Sequence, residues 1–447
     1  MLEHTPSHSQ EAYIAYPAKR LGGSVNVPGD KSVSHRALLL GAVAEGATKI
    51  SGFLRSEDCI GTLLALRAMG VEIDDSGSYV TVNGVGPSGL KKPKMPLDLG
   101  NSGTTMRLML GLLVAQPFDV TLIGDSSLLT RPMERVAEPL RTMGAKIVTT
   151  EGRAPIKING GSQLCGIDYS MSVASAQLKS AILMAGLWAS GRTIVRSPGI
   201  SRDHTERMLE TMNIGLRREG PSIVSIKGPA TLSGTDIMVP RDFSSAAFFI
   251  VAGLLGAIDG LMIPAVGINP TRTGLLTILR RMGGRIELRN ERSSGAEPIA
   301  DIFVEKSELR AVNVDAELVK LSIDELPVLF IAASAALGRT SVRGAEELRY
   351  KECDRLAVMA TGLEALGVAV EEQPDGMIVE GGTIQGGHVN SNGDHRVAMA
   401  FATASIVARG PIEIVDTAPI ATSFPDFHRV ATRSGFELER ISYPYNV

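Results

Sequence analysis

One phrase recurs six times along this chain, and it limits the possible folds more than any other feature. An apolar helix end is closed by glycine and followed at once by a short β-rich run. The phrase reads LLALRAMGVEI at Gly70, EPLRTMGAKI at Gly144, LTILRRMGGRI at Gly283, LEALGVAV at Gly367 and, more weakly, RSGFELER at Gly435. In LETMNIGL, Asn213 stands in the glycine's place. Successive copies lie 68 to 84 residues apart. A glycine just past a helix end takes the left-handed conformation that closes the helix, and asparagine is its usual substitute. Apolar residues three and four positions earlier give each helix one core face. Upstream of the helices runs a second shared phrase, β-rich and then irregular and polar: TKISGFLRSED, VTLIGDSSLLTRP, RTIVRSPGISRDH, LMIPAVGINPTR, TSVRGAEELRYKE and IEIVDTAPIATSFPD. Units of about 70 residues are too long for solenoid repeats, which run about 20–45. A chain of 447 residues also exceeds one core, which stops growing at roughly 250–300. Three units in each of two domains is therefore the expected arrangement, with the equivalent polar loops meeting at one cleft.

Composition removes several function classes. Hydrophobic residues at 44% and charged residues at 21% describe a globular chain. The net charge of −3 offers no basic excess for coating nucleic acid, and 4% aromatic residues are too few for base-stacking platforms. The longest apolar run, Ala246 to Ile258, falls short of the roughly 20 residues that span a bilayer, so a buried helix is expected and no membrane partner. The N-terminal MLEHTPSHSQEAY has no apolar stretch resembling a signal peptide. Cys59, Cys165 and Cys353 lie far apart, which suits reduced thiols in a cytoplasmic protein and offers no metal-ligand spacing. Gly84-Val85-Gly86-Pro87-Ser88-Gly89 fits a dinucleotide fingerprint, but the prolines of LKKPKMP forbid the helix that must follow. Gly29-Asp30-Lys31-Ser32 lacks the glycine spacing of a nucleotide P-loop.

The polar loops carry the chemistry. In Val27-Pro28-Gly29-Asp30-Lys31-Ser32-Val33-Ser34-His35-Arg36, Asp30 or Ser32 can cap a helix, leaving Lys31 and Arg36 near its positive end. LGNSGTTMR places small residues, Gly103 among them, at another helix start. TRPM puts Arg131 before a helix-starting proline, and ASAQLKS opens a helix with Ser175 and Gln177. SRDH carries Arg202, SIDELP carries Asp324, ELRYKECDR carries Lys351, Glu352 and Arg355, and DHR carries Arg396. Singly each is a helix cap or a solvated face. Together they gather cations at corresponding loop ends of a balanced protein, the footprint of a small polyanion site.

In order and over nearly the whole chain, PGDKSVSHR, LGNSGTTMR, LTRPMERV, ASAQLKSA, SRDHTER, IDELPVL, EELRYKECDR, DHRVAMAF and TSFPDF closely resemble the EPSP synthase family, the 3-phosphoshikimate 1-carboxyvinyltransferases. The resemblance implies a two-domain inside-out α/β barrel with three βαβαββ repeats per domain and the active site between them. Its first domain would join residues 1–26 to 242–447, and its second would span 27–241. It implies transfer of the enolpyruvyl group of phosphoenolpyruvate to the 5-hydroxyl of 3-phosphoshikimate through a tetrahedral intermediate, in the shikimate pathway. By motif match, Lys31, Ser32, Arg36, Ser175, Gln177, Arg202, Asp324 and Lys351 would hold 3-phosphoshikimate. Lys31, Gly103, Arg131, Gln177, Arg355 and Arg396 would hold phosphoenolpyruvate, with Lys351 on that side or shared. Asp324 would accept the hydroxyl proton, Glu352 would serve C3 of the donor, and Lys31 would share the proton traffic. A helix start beside Asp324 lowers its pKa and weakens it as a base. No metal or organic cofactor is implied, since arginines supply the charge stabilisation. A monomer is expected. Many members are inhibited by glyphosate at the phosphoenolpyruvate site, and tolerant ones often carry alanine where this chain has Gly103.

Two positions depart from the family pattern. Thr422 stands where many relatives have lysine, removing one donor contact, and Arg241 precedes Asp242 where glycine is usual. Two rivals remain. A UDP-N-acetylglucosamine enolpyruvyl transferase typically carries a cysteine in the loop that here reads GDSSLLTRP. An RNA-end-binding or anion-sensing protein on the same fold would show a basic surface or no need for both Asp324 and Glu352.

Overall fold

The computed structural model describes residues 10–18 and 20–443. Residues 1–9 of the expected first domain, most of the stretch read as lacking a signal peptide, lie outside the described residues. The repeated phrase ends as its chemistry requires. Gly70, Gly144, Asn213, Gly283, Gly367 and Gly435 all have φ between 69° and 109°, each closing a helix before a strand.

Each repeat builds one four-stranded sheet, and the six sheets share one plan. In the first, Asp236–Met238 pairs parallel with Glu45–Ser51, which pairs antiparallel with Tyr79–Val85, which pairs antiparallel with Glu72–Asp74. The other five repeat this succession of one parallel and two antiparallel pairings. Three sheets are completed by distant segments, which no local pattern announces. Asp236–Met238 covers the edge of Glu45–Ser51, Gly23–Ser24 lies beside Leu261–Gly267, and Gln10–Tyr16 sits between Ile412–Val415 and Glu437–Tyr443. Covering otherwise unpaired strand edges satisfies their backbone groups and closes each set of three repeats.

Two hydrophobic cores result, one from Val33 to Val239, the other from Tyr13 to Val27 and Phe243 to Phe436. At the centre of the first pack the helices Lys31–Ala42, Gly103–Leu113 and Ala176–Gly186; at the centre of the second, Phe243–Gly256, Leu326–Ser334 and His395–Ala404. Apolar residues surround these helices, because sheets and neighbouring helices bury every face. The Ala246–Ile258 run forms such a helix, but the helix ends at Gly256 and Ile258 is exposed. Among the described residues no helix is long and apolar enough to cross a membrane. The GxGxxG segment begins in the last two residues of the strand Tyr79–Val85 and continues in turns with no helix, as the prolines after it demand.

Candidate active site

All six central helices begin at one cavity. Its lining includes Lys31 and Ser32, Gly103 and Thr104, Ala176 and Gln177, Asp242, Asp324, and His395 with Arg396, which are the starts of those helices or the residues just before them. Side-chain caps hold five of the six helix starts. Asp30 accepts from Val33 N at 2.8 Å, Ser102 from Thr105 N at 3.2 Å, Ser175 from Leu178 N at 3.4 Å, Asp242 from Ser245 N at 2.8 Å and Asp394 from Arg396 N at 2.8 Å. Each helix start contributes partial positive charge, so six together favour anions before any side chain is counted. Side chains add to this: ten Lys or Arg residues line the cavity against four carboxylates, Asp58, Asp242, Asp324 and Glu352.

The structure gathers Lys31, Ser32, Arg36, Gly103, Arg131, Gln177, Arg202, Asp324, Lys351, Glu352, Arg355 and Arg396 around this cavity. Ser175 is the exception. It lines an adjoining depression that shares Gln177, Arg202, Asp324 and Lys351. Arg131 differs in local setting from the expected helix-starting proline: it follows the short helix Ser126–Thr130, and the next helix starts at Glu134. Thr422 does not reach the cavity. Its hydroxyl donates to Pro419 O at 2.8 Å and lies 3.5 Å from His395 Nδ1. Arg241 ties the two passages of chain between the cores, donating from Nη1 to Val27 O at 2.6 Å.

Sequence reasoning passed over Asp58, Arg107, Arg135, Asp242, Arg272 and His395, all on the cavity wall. Arg107 lies one helical turn beyond Gly103, on the same face, so the spacing carried the signal. Asp58 forms an ion pair with Lys31, and nothing near either residue in the sequence announces it.

Asp324 and Glu352 are the acidic centres of the wall. Asp324 receives Arg202 Nη2 at 2.5 Å and lies 3.6 Å from Lys351 Nζ, 3.6 Å from Arg355 and 3.7 Å from Arg396. Burial opposes its ionisation, yet Arg202, Arg396, Lys351 and Arg355 together hold its carboxyl well below the usual range. Glu352 receives Arg355 Nη2 at 2.6 Å and lies 3.5 Å from Arg131 Nη1. Burial works against its charge too, and Arg355, Arg131, His395 and Lys31 outweigh it. The Arg202–Asp324 and Arg131–Glu352 pairs join the two cores across the cavity.

Among the described residues, two buried arginines have no carboxylate within ion-pair distance. Arg36 donates to Thr205 Oγ1 at 2.6 Å, Ser180 Oγ at 2.9 Å and Ser32 O at 3.0 Å; Arg107 donates to Gln177 Oε1 at 2.8 Å and Pro132 O at 3.3 Å. All these acceptors are neutral. Burial pulls the Arg36 pKa down to about 10; burial, with Arg135 and Arg131 beside it, pulls Arg107 down to about 9. Desolvated cations without counter-ions are sites prepared for anionic ligands.

Behind the cavity wall, His35 on the Lys31–Ala42 helix gives the fold a pH signature. It is buried, bonded through Nδ1 to Thr62 Oγ1 at 2.8 Å, and burial with Lys31 and Arg36 nearby holds its pKa well below 6.5. The unfolded chain therefore binds a proton near pH 6.5 that the folded chain refuses, and stability falls as pH drops below that value. The loss reaches up to about 1.4 kcal/mol per pH unit. Urea unfolding at pH 7.5 and pH 5 is expected to show this loss, and His35→Gln to reduce it.

The family model for EPSP synthase (3-phosphoshikimate 1-carboxyvinyltransferase) matches residues 15–431. A 3-phosphoshikimate 1-carboxyvinyltransferase of Methylococcus capsulatus is 52% identical over 429 residues, covering 96% of this chain and 98% of the relative. One of Alkalilimnicola ehrlichii is 54% identical over 427 residues, covering 95% and 96%. The solved structure of EPSP synthase from Acinetobacter baumannii superposes with a TM-score of 0.86 at 48% identity, covering 97% of this chain and 100% of that one. The enolpyruvyl transferase NikO of Streptomyces tendae shares the fold at a TM-score of 0.80 and 18% identity.

Proposed function

The chain belongs to the EPSP synthase family, and from that premise we propose how its residues share the work of the reaction. It is an enolpyruvyl transferase, moving the group from phosphoenolpyruvate to the 5-hydroxyl of 3-phosphoshikimate with release of phosphate. The UDP-N-acetylglucosamine acceptor is not favoured, since the relatives are named for the shikimate acceptor and the loop 124–132 has no cysteine.

The observation that carries the residue assignment is the pair of guanidiniums without a carboxylate partner, Arg36 and Arg107, near the starts of two neighbouring helices at one anion-favouring cavity. Arg36, with Lys31, Ser32, Ser175, Gln177, Arg202 and Lys351, holds 3-phosphoshikimate. Arg131, Arg355 and Arg396, with Gly103 and Lys31, hold phosphoenolpyruvate, and Arg107 supports that side through Gln177. The substrate groups draw Arg202, Lys351 and Arg396 away from Asp324, which then recovers the basicity those cations suppress. Asp324 takes the hydroxyl proton as oxygen attacks C2. Phosphoenolpyruvate draws Arg355 and Arg131 from Glu352 and sets its own negative charge beside it, so Glu352 takes up a solvent proton, delivers it to C3 to make a methyl group, and takes one back as the C2–O bond to phosphate breaks. The protons balance: one leaves the hydroxyl, and one leaves with phosphate. The two cores act as domains that close on the substrates, the chain crossing between them near residues 27–30 and 239–242. The protein is proposed to work as a cytoplasmic monomer without metal, cofactor, nucleic acid or membrane. Phosphate release tests the assignment of acceptor: it is expected with phosphoenolpyruvate plus 3-phosphoshikimate, and release with UDP-N-acetylglucosamine instead overturns it.

Gly103 sets the donor pocket's size. A methyl built there meets Arg107 Nη1 at 3.0 Å and Arg131 Nη1 at 3.1 Å, closer than a relaxed contact. Gly103→Ala costs no backbone strain, so its effect is to shift two guanidiniums by tenths of an ångström. Glyphosate, longer than phosphoenolpyruvate, is expected to inhibit the wild type. In Gly103→Ala its inhibition constant rises by roughly tenfold or more, while the phosphoenolpyruvate KM rises only severalfold. Equal losses would assign Gly103 to general loop geometry.

A further inference from the structure

The most heavily charged buried cluster outside the two reacting carboxylates lies where the chain twice passes between the cores. Segments 27–30 and 239–242 run side by side there, Asp30 N donating to Pro240 O and Asp242 N to Pro28 O, both at 2.8 Å. Arg272, 3% exposed, is inserted among three acids. Its Nη1 donates to Asp30 Oδ2 at 2.7 Å and its Nη2 to Ser244 Oγ at 2.6 Å; Asp242 and Glu325 oxygens lie 3.6 Å from Nη2. Ser244 in turn donates to Glu325. Three acids around Arg272, with Arg396 reaching only Glu325 at 4.0 Å, is an expensive way to fill buried space, since packed apolar residues serve stability equally well or better. The cluster's placement supplies the reason. Asp30 caps the helix that begins with Lys31, Asp242 caps Phe243–Gly256, and Glu325 is the neighbour of Asp324. One guanidinium thus touches the anchor of Lys31 in one core and the anchor of Asp324 in the other.

Building on the enolpyruvyl-transfer reading above, we propose that Arg272 is a positioning residue, fixing the Lys31 helix against the Asp324 turn so that the acceptor hydroxyl and the donor C2 meet in register. Although Arg272 also lines the cavity, its hydrogen bonds go to Asp30 and Ser244, and the positioning role runs through them and Glu325.

The test uses charge arithmetic. The cluster carries a formal −2. Arg272→Gln makes it −3, and Asp30→Asn, which preserves the helix cap, makes it −1. The double variant restores −2. If Arg272 only balances charge, the double variant regains thermal stability and kcat together. The proposal expects it to regain stability while kcat stays lower by roughly 10²-fold, the usual cost of an ångström of misplacement. Its 3-phosphoshikimate Kd by calorimetry stays within a few fold of wild type. A double variant with wild-type kcat overturns the proposal. If the double variant fails to fold, Arg272→Lys, which keeps the charge but not the fork, decides the same way: folded and slow supports it, folded and wild-type in rate overturns it. A wild type that releases no phosphate from phosphoenolpyruvate and 3-phosphoshikimate would instead overturn the underlying functional reading.

Discussion

Glu352→Gln and Asp324→Asn are each expected to lower kcat by about 10²–10⁴-fold, the range of positioned general acids and bases. The two carboxylates share Arg355 but otherwise sit against different cations, which separates their roles. Glu352 is bound by Arg355 and faces Arg131, on the side assigned to the donor. Asp324 is bound by Arg202 and faces Lys351, Arg355 and Arg396. Each amide keeps the shape and most hydrogen bonds, so circular dichroism and substrate Kd values are expected to change little. The pH dependence of stability gives a second handle. Both carboxyls are held below their unfolded values, so each stabilises the fold above about pH 4–5 and loses that contribution as pH falls through its lowered folded value. The amide variants lack this acid-sensitive part. A variant of either residue turning over at the wild-type rate would remove that residue from proton transfer.

The second large effect is expected at Arg36. Arg36→Met removes a desolvated cation whose partners are all neutral, and Ser180 and Thr205 remain bonded to each other at 2.7 Å. Free-protein stability therefore holds or rises, because no buried acid loses its counter-ion. Binding of 3-phosphoshikimate, which loses a desolvated cationic partner, weakens by about 2–5 kcal/mol. Every 1.4 kcal/mol is tenfold, so the KM for 3-phosphoshikimate rises at least about thirtyfold. A melting curve alongside steady-state kinetics reads both quantities. A destabilised variant with unchanged KM would make Arg36 a structural residue.

The repeat was legible because its closing position has strict chemistry. A left-handed residue after each helix admits little besides glycine and asparagine, and all six expected positions adopt it. The motif loops were legible for a related reason, since small caps, prolines and cations at helix starts are local features. What crosses the chain left no local mark. The strand Gln10–Tyr16 completes a sheet more than 400 residues away, and Asp58 pairs with Lys31 only because two helices pack together. Arg107 could have been found from its spacing to Gly103, whereas Arg272, between two threonines in a quoted phrase, reads as solvated until its burial is known. Asp324 was read as weakened by a helix start; four surrounding cations suppress it further.

The reaction run in deuterium oxide tests the central claim most directly. If Asp324 and Glu352 drive addition followed by elimination, C3 passes through a methyl group whose hydrogens scramble with a solvent-derived one. Proton NMR should then find deuterium in the vinyl group of 5-enolpyruvylshikimate 3-phosphate and in unreacted phosphoenolpyruvate, with Glu352→Gln showing far less in the same time. Product formed over many turnovers with C3 entirely undeuterated would contradict protonation at C3, and with it the role assigned to Glu352.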